Sequence, residues 1–302
     1  MRVLNTIRES RTDRLFMIGV YVFLSIVLVI VAYPLIYVLS CSFSSASAVI
    51  GNKVWLWPVH PTLLGYKAVF QYSAVWTGYL NSLIYTVGFT VISVLLTIMM
   101  AYPLSRKDFY GRKLFIWLLL FAMMFYGGLI PFYLVVKDLG LLNTRWSIIL
   151  PTALNIFAVI IAKTFFQSTI PNDLYDSAQI DGCSDVNFLI RIVLPLSKPI
   201  IAVLVLWAAV WQWNTYFNAL IFLNNQNLFP LQLVLRQILI LNTASGGSGG
   251  MNLSPEQLIM FQNMQTLLKY SLIIVASVPV LFLYPLAQKY FVKGVMIGSV
   301  KE

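Results

Sequence analysis

The chain has 302 residues, of which 60% are apolar and only 10% charged, and its net charge is +10. Soluble domains carry about 25% charged residues, so this composition leaves too little charge to cover a water-soluble globule. The basic residues also argue against a nucleic-acid partner, because they sit at the ends of apolar blocks and form no single stripe.

A helix needs about 20 apolar residues to cross the hydrocarbon of a bilayer. Six segments supply them, at 15–40, 79–104, 114–136, 147–166, 200–223 and 270–290. The expected class is an all-α polytopic membrane protein. Residues 1–14, with Arg2, Arg8, Arg11 and Arg14, form a short basic lead, and 15–302 form a single transmembrane domain. The first apolar block is too long for a secretory signal, whose apolar region runs about 7–15 residues, so it reads as an uncleaved span. In the second span, Asn81, Ser82, Tyr85, Ser93 and Thr97 either pack helices or line a path; small hydroxylated residues are ordinary in membrane helix contacts, which favours packing. Gly127, Gly128 and Pro131 in the third span suit close packing and a kink.

Positive residues are retained on the cytoplasmic side. Fourteen of the twenty Lys and Arg fall on one side of this arrangement, from the N-terminal arginines through Arg106–Lys113 and Lys163–Lys198 to the C-terminal lysines. Both termini are therefore expected in the cytoplasm of a multi-pass cell-membrane protein. Residues 41–78, 137–146 and 224–269 then lie outside; the last contains a Gly/Ser tract at 245–250 and Ser254-Pro255, suited to open a short helix. Cys41 and Cys183 fall on opposite sides of the membrane and cannot bridge. The sequence offers no metal-ligand spacing, phosphate loop or nucleophile motif, so neither a metal site nor catalysis is expected.

The loop 170–199, between the fourth and fifth spans, differs from its surroundings. Pro171 suits a helix start, Leu174, Ala178 and Asp181 follow at helical spacing, and Gly182 can take the left-handed conformation that ends the helix. Ser184 is placed to cap a second short helix with an apolar side of Val186, Leu189, Ile190 and Val193, which Pro195 and Pro199 would stop. Four acids, Asp173, Asp176, Asp181 and Asp185, occupy a cytoplasmic loop where cations normally dominate, so this knob is expected to be covered by another protein.

Tyr175-Asp-Ser-Ala-Gln-Ile-Asp-Gly182, followed by Ile192-Val-Leu-Pro-Leu-Ser-Lys-Pro199, resembles the EAA loop of ABC importer permeases. Asp176 stands where that family usually has Glu, and Ser177 where it has the first Ala; Ala178, Asp181, Gly182, Leu194 and Pro195 agree. The segments 101–106, 211–218 and 288–298 are similar to the smaller, MalG-like permease of maltose-type carbohydrate importers. Within that class the tail and the second-span proline are nearest the LplC/YtcP branch, linked to pectin or uronate fragments.

The resemblance implies a type I ABC importer permease fold and a coupling helix that enters a cleft on an ATP-binding subunit. Asp176, Ser177, Ala178, Asp181, Gly182, Leu194 and Pro195 would be its ATPase-coupling residues. It also implies a homologous second permease, a dimer of ATP-binding subunits that hold ATP and Mg, an extracellular solute-binding lipoprotein and an oligosaccharide substrate. This chain would itself bind no cofactor and catalyse nothing.

In the fifth span Trp207, Trp211, Asn214 and Asn218 are spaced by four, three and four residues, on one helical face. Amides and flat aromatics suit the hydroxyls and C–H faces of sugar rings. The same residues also suit an interfacial belt with asparagines knitting helices, although Trp207 and Trp211 lie toward the middle of the span. The expected function is the permease half of an ATP-driven oligosaccharide importer in the lipid membrane; the competing reading is a passive channel or scaffold without ATP coupling.

Overall fold

The computed structural model describes residues 10–125, 127–244 and 255–299. Every regular element among them is helical. Residues group into two compact units, 1–71 with 241–275 and 72–240 with 276–302.

The first unit begins with α1, Arg11–Phe43, whose Ser10 cap accepts from the Thr12 N–H. At 1.5 Å per residue it is about 50 Å long, and its most apolar stretch buries nothing within the chain. A helix apolar on every side and unpacked belongs in lipid. Its last turn does pack. Ser40 donates to the Leu56 carbonyl at 2.6 Å, Ser44 accepts from the Val59 N–H at 3.0 Å, and Cys41 clusters with Ala48 and Val49 of α2, Ala46–Ile50. In α3, Leu64–Gln71, a Cβ on Gly65 would collide with Ser271 Oγ and approach the Leu267 carbonyl to 3.0 Å, so this helix crossing requires glycine.

The second unit is built on α4, Ser73–Ser105, which packs most extensively against α8, Ile156–Thr169, and α12, Lys198–Asn214. Its inner face is small and hydroxylated. Asn81 donates to the carbonyls of Asn227 (2.7 Å) and Phe229 (3.2 Å), the Tyr85 hydroxyl donates to Leu228 O, and Ser82 Oγ accepts from the Leu231 N–H. These three side chains clamp the 3₁₀ turn Gln226–Leu228 and the start of α14, Leu231–Ala244. Ser93 and Thr97 instead face a cavity.

Three of the expected spans are broken, the third at the glycines where a kink was expected. The third becomes α5, Arg112–Met124, and α6, Leu129–Asp138, set at 114°, with Gly128 at φ +89° in a conformation reserved for glycine. The fourth is divided into α7, Trp146–Ile149, and α8, because Pro151 lacks an N–H and Asn155 caps the new start by accepting from the Ala158 N–H. The fifth ends at Asn214 and resumes as α13, Phe217–Phe222. There the Asn214 amide donates to Val210 O and the Thr215 hydroxyl to Trp211 O, each at 2.8 Å, while the Thr215 N–H turns to Gln212 O at 3.2 Å in a tightened last turn.

Pro255 opens α15, Pro255–Ser299, so the expected short helix there is the first part of one continuous 45-residue helix. The Gly/Ser tract at 245–250 lies outside the described residues. Among the described residues three helices are long and apolar enough to cross a membrane, and up to five cross if each sharply bent pair counts as one span.

Candidate functional site

The loop 170–199 folds into a knob. Its first helix, α9, is Asn172–Ile180, with Asp173 in the first turn near the positive end of the helix. Gly182 ends it at φ +75°, its N–H donating to Gln179 O while the Cys183 N–H donates to Ala178 O, both at 2.9 Å. This pair of bonds is the Schellman arrangement, which satisfies the last free carbonyls and needs a residue tolerant of positive φ. The Asp181-Gly182 step is therefore a structural stop. A side chain at 182 meets no neighbour, so Gly182→Val acts through backbone strain alone, about 1 kcal/mol. We expect that variant to fold and to lower transport per ATP hydrolysed about fivefold, measured in proteoliposomes.

The second helix follows as expected from Ser184, which accepts from the Asn187 N–H. It runs through α10, Asp185–Phe188, a π turn at Leu189–Val193 and α11, Leu194–Leu196. Pro195 does not stop it. A proline ring would clash with the Arg191 carbonyl in a regular α-helix, and the wider π turn immediately before it accommodates the ring. Pro199 sits in the first turn of α12 and does not end the preceding helix; the chain turns by 82° between them. The apolar side also differs from expectation. Val193 is buried and Leu189 half-buried, but Val186 and Ile190 are exposed and the buried anchor is Phe188.

What seats the knob is Tyr175, which is 5% exposed. Its hydroxyl donates to Asp185 Oδ1 at 2.6 Å and accepts from the Gln179 amide. Its ring meets Phe188 edge-on, and the Arg106 guanidinium lies 3.1 Å over its face. The bond to Asp185, aided by burial, raises the phenol above its ordinary pKa. The hydroxyl therefore remains a donor through the physiological range. Tyr102 of α4 completes the seat by donating to Asp185 O at 3.4 Å, and Ala178, Phe188 and Val193 join Ala101, Tyr102 and Phe166 in one core. Sequence reasoning did not single out Tyr102, Arg106 or Phe188 as functional. Tyr102 and Arg106 sit four residues apart at the end of α4, and that shared face is the only local signal.

Of the residues expected to couple to an ATPase, Asp176, Ser177, Asp181, Gly182 and Pro195 are exposed, Leu194 is half-buried and Ala178 is turned into the core. Ser177 Oγ donates back to Asp173 O. Around them stand uncovered apolar side chains, Leu174, Ile180 (87% exposed), Val186 and Ile190.

A cavity of about 690 Å³ opens among α4, α8, α12 and α13. Trp207, Trp211, Asn214 and Asn218 all line it, although the helix break places Asn218 on a different element from the other three. They converge through tertiary placement of two helices, where the sequence had suggested one continuous face. Ser93, Thr97, Asn155 and Tyr216 add polar groups, and Trp207 also stacks on Phe157 at 6.0 Å. Among the described residues that line it there is no Lys, Arg, His, Asp or Glu.

The family model for the inner membrane component of binding-protein-dependent transport systems matches residues 75–297. The chain belongs to that family. This permease is 43% identical over 293 residues to the polygalacturonan/rhamnogalacturonan transport system permease protein YtcP of Bacillus subtilis (strain 168), covering 96% of the permease and 99% of YtcP. It is 41% identical to protein LplC of the same strain over the full length of both chains. It also matches, with a TM-score of 0.83 and 34% identity, the crystal structure of a bacterial ABC transporter involved in the import of the acidic polysaccharide alginate, over 95% of this chain and 100% of that one. The permease is thus a multi-pass, non-catalytic membrane subunit of an ABC transporter, in which a separate ATPase hydrolyses ATP.

Proposed function

We propose that this permease is one transmembrane half of an importer for a uronate-bearing oligosaccharide, driven by ATPase subunits that grip the knob at 170–199. The observation that carries this reading is the knob itself. An acidic two-helix knob that leaves Leu174, Ile180, Val186 and Ile190 uncovered, yet is anchored through Tyr175 to α4, has the form of a docking element fixed to a transmembrane lever. Closure of the ATP-bound partner would displace the knob, and the Tyr175–Arg106 stack would pass that motion to α4, which walls the large cavity. Alternating access then follows as a shift between two arrangements of the helices.

The full arrangement has six spans with both termini cytoplasmic. The distribution of Lys and Arg supports it, with α5–α6 as a bent span, α8 as a short one, and α12, entered from the knob's second helix through a sharp turn, leading the fifth. A homologous second permease, a dimer of ATP-binding subunits with ATP and Mg, and an extracellular solute-binding lipoprotein complete the assembly.

The names of YtcP and of the alginate importer support an acidic glycan as substrate. The large cavity falls within the roughly 300–1,000 Å³ usual for small-molecule sites. Its amides and aromatics fit hydroxyls and ring faces, and with no cation in its lining it leaves the carboxylates to the other half of the pathway. A passive channel is not favoured, since it would have no use for an anchored, uncovered knob. Reconstitution with and without the ATPase subunits tests the reading: uptake should require ATP, and equal uptake in its absence overturns it.

A further inference from the structure

A second cavity, of about 170 Å³, lies where the knob meets the ends of α4 and α8, and its chemistry is opposite to that of the first. Arg106, Lys107 and Arg112 line it, with Gln167 and Asn172 as neutral polar neighbours. The single ion pair among the described residues joins Arg106 to Asp108 at 3.2 Å, which leaves two of the three cations without a carboxylate. Lys163, one turn before Gln167 on the same face of α8, lies within electrostatic reach of Arg112. The exposed acids of the knob, Asp173, Asp176, Asp181 and Asp185, take no part in the lining, and Asp185 is engaged by the Tyr175 hydroxyl. Cations gathered in a partly enclosed space repel one another unless an anion lies between them.

We infer that this cavity binds the phosphate of an anionic phospholipid headgroup, held between the knob and the transmembrane helices. Arginine and lysine donors match phosphate oxygens, and basic pockets between membrane helices on the cytoplasmic side suit such headgroups. Free phosphate shares that chemistry, but a lipid also has tails, and Leu114 and Leu118 of α5 present an exposed apolar track beginning two residues after Arg112. Bound there, the lipid neutralises the cations behind the knob and braces its seat. The inference rests on the proposed topology, which puts this end of the helices at the cytoplasmic leaflet.

Native mass spectrometry of the full chain, released from mixed bilayers, tests it. The wild type should retain phosphatidylglycerol about fivefold better than phosphatidylcholine. K107Q/R112Q should lose that preference, while K107R/R112K keeps it. Equal retention of the two lipids by the wild type overturns the inference, as does undiminished preference in K107Q/R112Q. Millimolar inorganic phosphate should leave the lipid bound; its complete displacement overturns the assignment to lipid in favour of the free ion. Because the readout is lipid mass, its failure is distinguishable from failure of ATP-driven uptake.

Discussion

Replacing Tyr175 with alanine should lower sugar uptake about a hundredfold while the ATPase subunits continue to hydrolyse ATP. The ring is buried against Phe188 and lies beneath the Arg106 guanidinium, and its hydroxyl holds Asp185. Removing a buried aromatic costs about 3–5 kcal/mol, and here it also strips Arg106 of its ring face and Asp185 of its donor. A helix of nine residues does not hold itself in place, so the position of α9 depends on this seat. A loss of about 3 kcal/mol shifts the ratio of seated to unseated knob by roughly two orders of magnitude, and a coupling element seated only marginally loses function in that proportion.

Tyr175→Phe keeps the ring and loses only the hydroxyl, whose bond to the exposed Asp185 carboxylate is worth about 1.5 kcal/mol, and should cost no more than about tenfold. The raised phenol pKa predicts that the hydroxyl's contribution is complete below the ordinary tyrosine value and is lost only as pH climbs through the raised one. Labelled-sugar uptake and phosphate release, measured on the same proteoliposomes, separate transport from hydrolysis. Tight coupling in Tyr175→Ala removes the seat from the transmission path.

The second large effect is expected at the cavity. Trp211→Ala should reduce import about tenfold with basal ATP hydrolysis unchanged. Trp211 lines the cavity and is largely exposed, so its truncation costs the fold little. What is lost is a flat face for a sugar ring, and aromatic stacking of this kind contributes about 0.5–1.5 kcal/mol. Asn214 is a less clean probe, because its amide also holds the Val210 carbonyl at the helix end. Transport assays with neutral and uronate-containing oligosaccharides give a further check. A cavity lined without charge should lose both substrates in similar proportion, and selective loss of the acidic one overturns the division of labour between the two halves.

These two predictions differ in how far the sequence alone could reach. The knob was legible because its signals are local. Asn172 to Gly182 and the Ser184 cap are read from spacing within a dozen residues, and the backbone bonds that they dictate close inside the same segment. The seat was not legible, because Arg106 and Tyr175 are 69 positions apart and meet only when α4 and the knob pack together. The cavity residues fall between these cases. Trp207, Trp211, Asn214 and Asn218 do share one cavity, but the continuous helix that suggested it is absent.

Composition and local pattern determined the membrane class, the all-helical fold class and the capped knob. Each depends on the solvent preference of a segment or on hydrogen bonds between near neighbours. Tertiary structure decided where apolar runs break and what their ends enclose. At Thr215 the backbone turns extended, its N–H on Gln212 O and its hydroxyl on Trp211 O, and apolar periodicity carries no trace of that exit. The two cavities, one neutral and one basic, exist only where separate helices fail to fill the space between them.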